Sequence, residues 1–271
     1  MHSVKYLAAM VLAGWAATAQ AAGNLNLTEL AKDLQNPLAD LISVPFQYNL
    51  NYNYGPDNDT QGILNIQPVI PIHLSSDWNL VTRTIVPFLS QPGFGPDAGR
   101  SYGMGDIQLS GFLSPSKAAN GWVWGAGAIT QLKTASHDDT GQGRWGLGPT
   151  AVALHISKEW VYGALINNVF DMGGDSDREE INQMLLQPFV NYNFPTHPGR
   201  YLSFSPVITA NWKATDSSDT WTVPLGLGIG QVLPIGSLPV NLRLAYYYNV
   251  VTPDDAPDYQ VQLQFVLLFP K

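Results

Sequence analysis

Six polar side chains are the first candidates for chemistry: Asn79, Arg83, Asp106, Gln131, Lys213 and Arg243. Each falls on a segment that otherwise alternates apolar residues with uncharged polar ones. Rings of charge and hydrogen-bonding groups are how pores select solutes. On that reading the six form a constriction that orients a polar or anionic solute. The alternative stays open: a polar interior needs internal partners, and the six then bond one another or solvate a lumen. Two acidic groups, His137-Asp138-Asp139 and Asp254, Asp255 and Asp258, resemble divalent-cation ligands in type, because clustered carboxylates bind such ions. Their spacing follows no ion-binding loop, so they read as solvated acidic surface. Acyl transfer would need a nucleophile, a base and a group orienting that base. GRSYG at 99–103 has the letters of GxSxG, but no helical pattern follows it to make a nucleophile elbow. Within the strand predicted over 144–156 no serine stands two or four residues from His155. No catalytic residue, metal or organic cofactor is therefore expected. His73, His155 and His197 fall near segment ends, where an interfacial place suits them.

The elements that position these residues follow from periodicity. In FQYNLNYNY (46–54) large apolar residues alternate with amides. A strand sends the two sets to opposite faces. The same alternation recurs in LSFSPVITANWK (202–213), VNLRLAYYYNV (240–250) and YQVQLQFVLLF (259–269). Twelve strands are predicted, over about 45–54, 62–72, 78–89, 104–114, 121–132, 144–156, 159–170, 182–194, 201–213, 220–232, 239–250 and 259–269. Most are as long as the roughly 9–11 residues a tilted strand needs to cross a bilayer. A soluble sheet carries Lys and Glu on its wet face; these faces carry amides and hydroxyls. The fold class predicted is all-β, a single transmembrane antiparallel barrel. Tryptophans near strand ends (Trp78, Trp122, Trp124, Trp145, Trp160, Trp212, Trp221) suit aromatic belts at two interfaces.

Composition agrees. The chain is 45% hydrophobic but only 13% charged, about half the usual soluble share. Its net charge of −8 with no basic cluster argues against nucleic-acid binding. Cysteine is absent, which excludes disulfides and thiolate metal sites. Residues 1–21 have the charged start, apolar run and A-x-A end of a cleaved signal peptide. Residues 22–43 form an amphipathic helix, with Thr28 as expected N-cap and Pro37 as a kink or division; 44–271 form the barrel. Alternate connections are long and acidic, the others short, as expected of outer loops and periplasmic turns.

Two features strain the pattern. Pro68, Pro87, Pro149, Pro188, Pro206 and Pro224 sit inside predicted strands, yet a closed barrel has no free edge to excuse a missing donor. Inward glycines also cluster, at Gly125 and Gly127, Gly146 and Gly148, and Gly226, Gly228 and Gly230. They either leave room for the helix to enter the barrel as a plug or permit wall curvature.

Several segments together carry a family resemblance: NPLADLISVPFQ (36–47), GMGDIQLSGFLSP (103–115), LKTASHDDTGQGRWGLGPTAVAL (132–154), WVYGALINNVF (160–170), QPFVNYNF (187–194), WTVPLGLGIG (221–230) and PVNLRLAYYYNV (239–250). Over essentially the whole mature chain the sequence resembles the bacterial outer-membrane proteins named for transport in the phenol-degradation meta-pathway, some of which carry the label neuromedin U. The resemblance implies an outer-membrane barrel passing a small solute by passive diffusion, with aromatic or hydrophobic compounds suggested by the name. It carries over no binding residues. Expected partners are the outer-membrane lipid bilayer, the solute and, during assembly, the outer-membrane insertion machinery. The competing classes are an outer-membrane hydrolase of lipase type and a structural or adhesive surface barrel without transport.

Overall fold

The computed structural model describes residues 26–93, 99–235 and 238–270; the signal-peptide segment lies outside them. One helix, α1 (Leu27–Gln35), precedes the strands. In chain order these are β1 (Ile42–Tyr54), β2 (Asp59–Ile66, resuming as Val69–His73), β3 (Trp78–Gln91) and β4 (Ser101–Met104, resuming as Ile107–Pro115). Then come β5 (Trp122–Leu132), β6 (Arg144–Ile156), β7 (Trp160–Gly174), β8 (Asn182–Asn193) and β9 (Arg200–Phe204, resuming as Ile208–Asn211). The last are β10 (Trp221–Ile235), β11 (Leu238–Val251) and β12 (Tyr259–Phe269). Each strand pairs antiparallel with its chain neighbours, and β12 pairs with β1. The sheet is thus a closed barrel of twelve strands, which leaves no edge exposed.

The period of two sorts the side chains as the sequence requires. On β11 Leu244, Tyr246 and Tyr248 face outward and are about half exposed, whereas Ala245 and Tyr247 between them are buried. On β10 Leu225, Leu227 and Ile229 face out, with glycines between. Inside, Asn49, Asn51, Gln131, Asn191, Asn193, Asn241 and Gln262 are buried. Apolar outside and amide inside inverts the arrangement of a water-soluble domain. Aromatic contacts gird both ends: Trp78 with Trp124 and Trp160 with Tyr192 at one, Trp212 with Trp221 and Tyr52 with Tyr259 at the other. Five of the six connections at that second end exceed six residues, and none at the first end does.

The six strand prolines have a physical account. Pro68 and Pro206 fall in the breaks of β2 and β9. Pro87 faces the break of β4, where its carbonyl accepts the Gly105 N–H at 2.8 Å. Pro188 faces the break of β9, in the gap between the pairs Leu186↔Ile208 and Val190↔Phe204. The ladder of β6 with β7 stops at Leu147↔Phe170 and resumes at Thr150↔Asn167, and Pro149 lies between. Pro224 sits at a register shift. Every missing N–H therefore points where the ladder is already interrupted, which is where a barrel tolerates proline.

The helix is shorter than expected and capped differently. Asn26, not Thr28, is the N-cap, its Oδ1 accepting the Glu29 N–H at 3.2 Å. Asn36 leaves the helical region ahead of Pro37, as a residue before proline does. Leu30 and Ala31 of α1, with Ala39 and Leu41, pack on Tyr201, Val232, Val266 and Leu268 of the wall. Leu38 is buried among Val81, Phe112, Val152, Leu154 and Leu165. Gln35 and Asn193 exchange two hydrogen bonds of 3.0 Å each. A Cβ on Gly125 would stand 3.0 Å from Leu38 Cδ1, whereas one on Gly226 or Gly230 would meet Tyr246 and Tyr247 or Tyr201. One of the clustered glycines thus makes room for the N-terminal segment; others make room for the wall itself.

Candidate functional site: the barrel lumen

The lumen holds a cavity of about 400 Å³, floored by residues 33–37, 39 and 41 of the N-terminal segment. A second cavity of about 270 Å³ lies toward the long loops and shares Gln108, Asn167 and Leu185 with the first. The two adjoin at those three side chains. Thirteen Asn or Gln side chains line the larger cavity, and its ionisable lining is Asp33, Arg83, Arg243 and Tyr201.

Of the six expected constriction residues, Arg83 and Arg243 line this cavity. Arg83 donates from Nη2 to Gln67 Oε1 at 2.5 Å. Arg243 donates to Gln262 Oε1 at 3.0 Å and to the Tyr247 hydroxyl at 2.6 Å, while its Nε is buried with no acceptor. Neither guanidinium forms an ion pair among the described residues.

The other four do different work. Asp106 sits at the break in β4, not within a strand. Its carboxylate accepts the backbone N–H groups of Thr134, Ala135 and Gln142 at 3.0, 3.1 and 2.7 Å. Backbone donors outcompete a strand position, so it shapes the 133–143 loop. Gln131 is buried but spends its amide on Gln142 of the same loop, at 2.8 Å. Lys213 lies beyond the end of β9, exposed, paired with Glu180 at 2.6 Å on the outer rim. Asn79 is buried near the short-turn end, 2.9 Å from His73 Nδ1. The long loops are tied further by Arg178, which donates to the carbonyls of Asp138 and Gly141. Arg144, which is buried, grips Asp171 through Nε and Nη2 at 2.7 and 2.6 Å.

The lumen contains an element that the six candidates leave out. Gln264 donates to Gln47 (3.3 Å), Gln262 to Asn49 (3.1 Å) and Gln260 to Asn51 (2.8 Å), across the closure of β12 on β1. Asn51 donates to Gln61, and Gln61 to Gln91, at 2.7 and 2.6 Å. The alternating amides of 46–54 and 259–269 were the available signal. His155, by contrast, faces outward, stacks on Tyr162 and meets Trp122 edge-on, with ring centroids 5.4 and 5.2 Å away. Among the described residues no three His, Asp or Glu side chains gather as a metal set.

Fold and lumen together define a class: closed antiparallel barrels with an apolar exterior and a polar, partly filled interior. Among solved structures the chain is similar to the COG4313 outer membrane channel from Pseudomonas putida F1, with 16% identity over 85% of this chain and 96% of that one, TM-score 0.63. It is also similar to the NanC porin, with 9% identity over 85% of this chain and all of that one, TM-score 0.51. These likenesses establish the fold. No family model matches the sequence, and no curated protein matches it by sequence.

Proposed function

We propose that this protein is an outer-membrane barrel through which a small solute diffuses passively, with residues 26–41 as a plug that narrows the passage. Export by the N-terminal signal, insertion by the outer-membrane assembly machinery and a lipid environment belong to the same reading. The observation that carries it is the inverted sorting of side chains, with tyrosine, leucine and tryptophan on the outside and amides around two adjoining cavities. Only a hydrocarbon surround makes that sorting favourable. The two channel-type neighbours support the reading by fold. Aromatic or hydrophobic solutes, suggested by the family resemblance, gain support from Phe112, Leu165 and Phe189 in the cavity wall.

Fractionation and planar-bilayer recording test it. The chain should enter the detergent-extracted outer membrane and change gel mobility on boiling. In a bilayer it should conduct weakly, and more strongly once residues 26–41 are deleted. A protein soluble without detergent, or one that never conducts even after the deletion, overturns the proposal.

A further inference from the structure

The larger cavity is mainly polar along β11, β12 and β1 to β3, and mixed opposite them. Arg243 on β11, Gln262 and Gln264 on β12, Gln47 and Asn49 on β1, Gln67 in the break of β2 and Arg83 on β3 make a polar stripe. It is internally bonded: Arg243 to Gln262 (3.0 Å), Gln262 to Asn49 (3.1 Å), Gln47 to Asn49 (3.2 Å), and Arg83 to Gln67 (2.5 Å). Neutral amide oxygens thus hold both guanidiniums in place without cancelling their charge. Arg83 spends one N–H on Gln67, and none of its nitrogens is both buried and unpartnered. The rest of its fork faces the cavity. Across the lumen Phe112, Leu165, Leu185 and Phe189 belong to one packed apolar cluster, interspersed in the lining with Ser110, Asn167, Gln187 and Asn191. Phe112 brings this apolar wall round to Arg83. Arg83 pairs with Ser110, so Phe112 is its diagonal neighbour on β4, a separation of roughly 7–8 Å.

We propose that the lumen binds a small organic monocarboxylate with an apolar body, its carboxylate on Arg83 and its body against Phe112 and the wall beyond. The inference deepens the channel reading and rests on it for access. An arginine fork matches a carboxylate in planarity and in donor spacing. A second guanidinium at Arg243, also without an ion pair, sets two arginines against the single Asp33 carboxylate of the lining, and the surrounding low dielectric strengthens the resulting positive potential. A sugar would satisfy the amides but leave the apolar wall wet. A neutral aromatic would fill the wall but leave Arg83 unmatched.

The test uses the whole mature protein in detergent micelles, with benzoate, benzamide and acetate as probes and titration calorimetry as the readout. Benzoate should bind about tenfold tighter than benzamide, which lacks the charge, because hydrogen bonds to ions contribute about 1.5–3 kcal/mol. It should likewise exceed acetate, which lacks the body. Arg83→Gln should erase the preference for benzoate over benzamide, Arg83→Lys should retain part of it, and Arg243→Gln should weaken benzoate without abolishing the preference. Unchanged heat-modifiable mobility certifies each variant as folded. Equal binding of benzoate and benzamide by the unaltered protein overturns the proposal whatever the variants do, as does an Arg83→Gln protein that still prefers benzoate. Bilayer recording separates the two claims. A barrel that conducts salt but shows no benzoate preference keeps the channel and loses this site; one that binds benzoate but never conducts does the reverse.

Discussion

Leu38 is the point at which the plug can be loosened with least damage elsewhere. It is buried among wall side chains from β3, β4, β6 and β7, and it follows the Pro37 that ends α1. Truncating a buried leucine to alanine costs about 2–5 kcal/mol, through lost burial and the cavity left behind. At about 1.4 kcal/mol per decade, Leu38→Ala should raise the undocked-to-docked ratio of the segment at least about 25-fold. Limited proteolysis under native conditions reads that ratio directly when opening is fast relative to cleavage. The segment should be cut at least about 25-fold faster, while barrel mobility on unboiled gels stays the same. Gly125 supplies an internal control. A methyl there would stand 3.0 Å from Leu38 Cδ1, so Gly125→Ala alone should also loosen the plug. In the Leu38→Ala background its effect should shrink, because the atom it crowds is gone. Cleavage of Leu38→Ala at the unaltered rate, or strict additivity of the two substitutions, would refute the docking argument.

Three other outcomes follow from the geometry. Asp106→Ala removes the acceptor for three backbone N–H groups, so the 133–143 loop should become protease-sensitive while the barrel keeps its heat-modifiable mobility. Asp171→Asn weakens the two-point grip on Arg144, and the urea midpoint of the folded barrel should fall by the equivalent of about 1.5–3 kcal/mol. Acidity should tighten the plug. Burial, then repulsion from Glu29, pushes the Asp33 carboxyl above its ordinary value, with Lys32 opposing. A carboxyl raised in the docked form favours docking when protonated, so docking strengthens as pH falls through the raised value and weakens above it. Conductance should drop over that window, and Asp33→Asn should abolish the dependence.

Periodicity made the barrel legible from the residues, because a repeat of two over ten or more positions with amides on one face has few other solutions. Strand number, closure and the sorting of long and short connections all agree with it. What the pattern conceals is any place where the backbone leaves it. Asp106 and Lys213 occupy inward positions only if β4 and β9 run unbroken, and both strands break or end there. Counting by twos across a break places a side chain on a face it does not have. The prolines were the clue: five of the six mark their own interruption or one on the facing strand, and the sixth a register shift. Local chemistry also misassigned the helix start, since Asn26 and Thr28 are both competent caps and the positions of Leu30 and Ala31 against the wall decide between them. Arg83 and Arg243 were recoverable because each lies in the middle of an uninterrupted stretch.

The closure of β12 on β1 has a consequence for assembly. Its rungs join residues 209 to 217 positions apart, so this pairing unites the two ends of the chain. Glutamines at 260, 262 and 264 face Asn51, Asn49 and Gln47, so sliding one strand by two residues would again set amide against amide and apolar against apolar. The middle of the seam is degenerate, like a zip whose teeth are all alike. Alignment must come from its outer end, where Tyr52 stacks on Tyr259 at 4.9 Å and Asn53 donates to Asp258 at 2.7 Å. Those four side chains act as the starting pin: without them the hoop can still fasten, two teeth out of step.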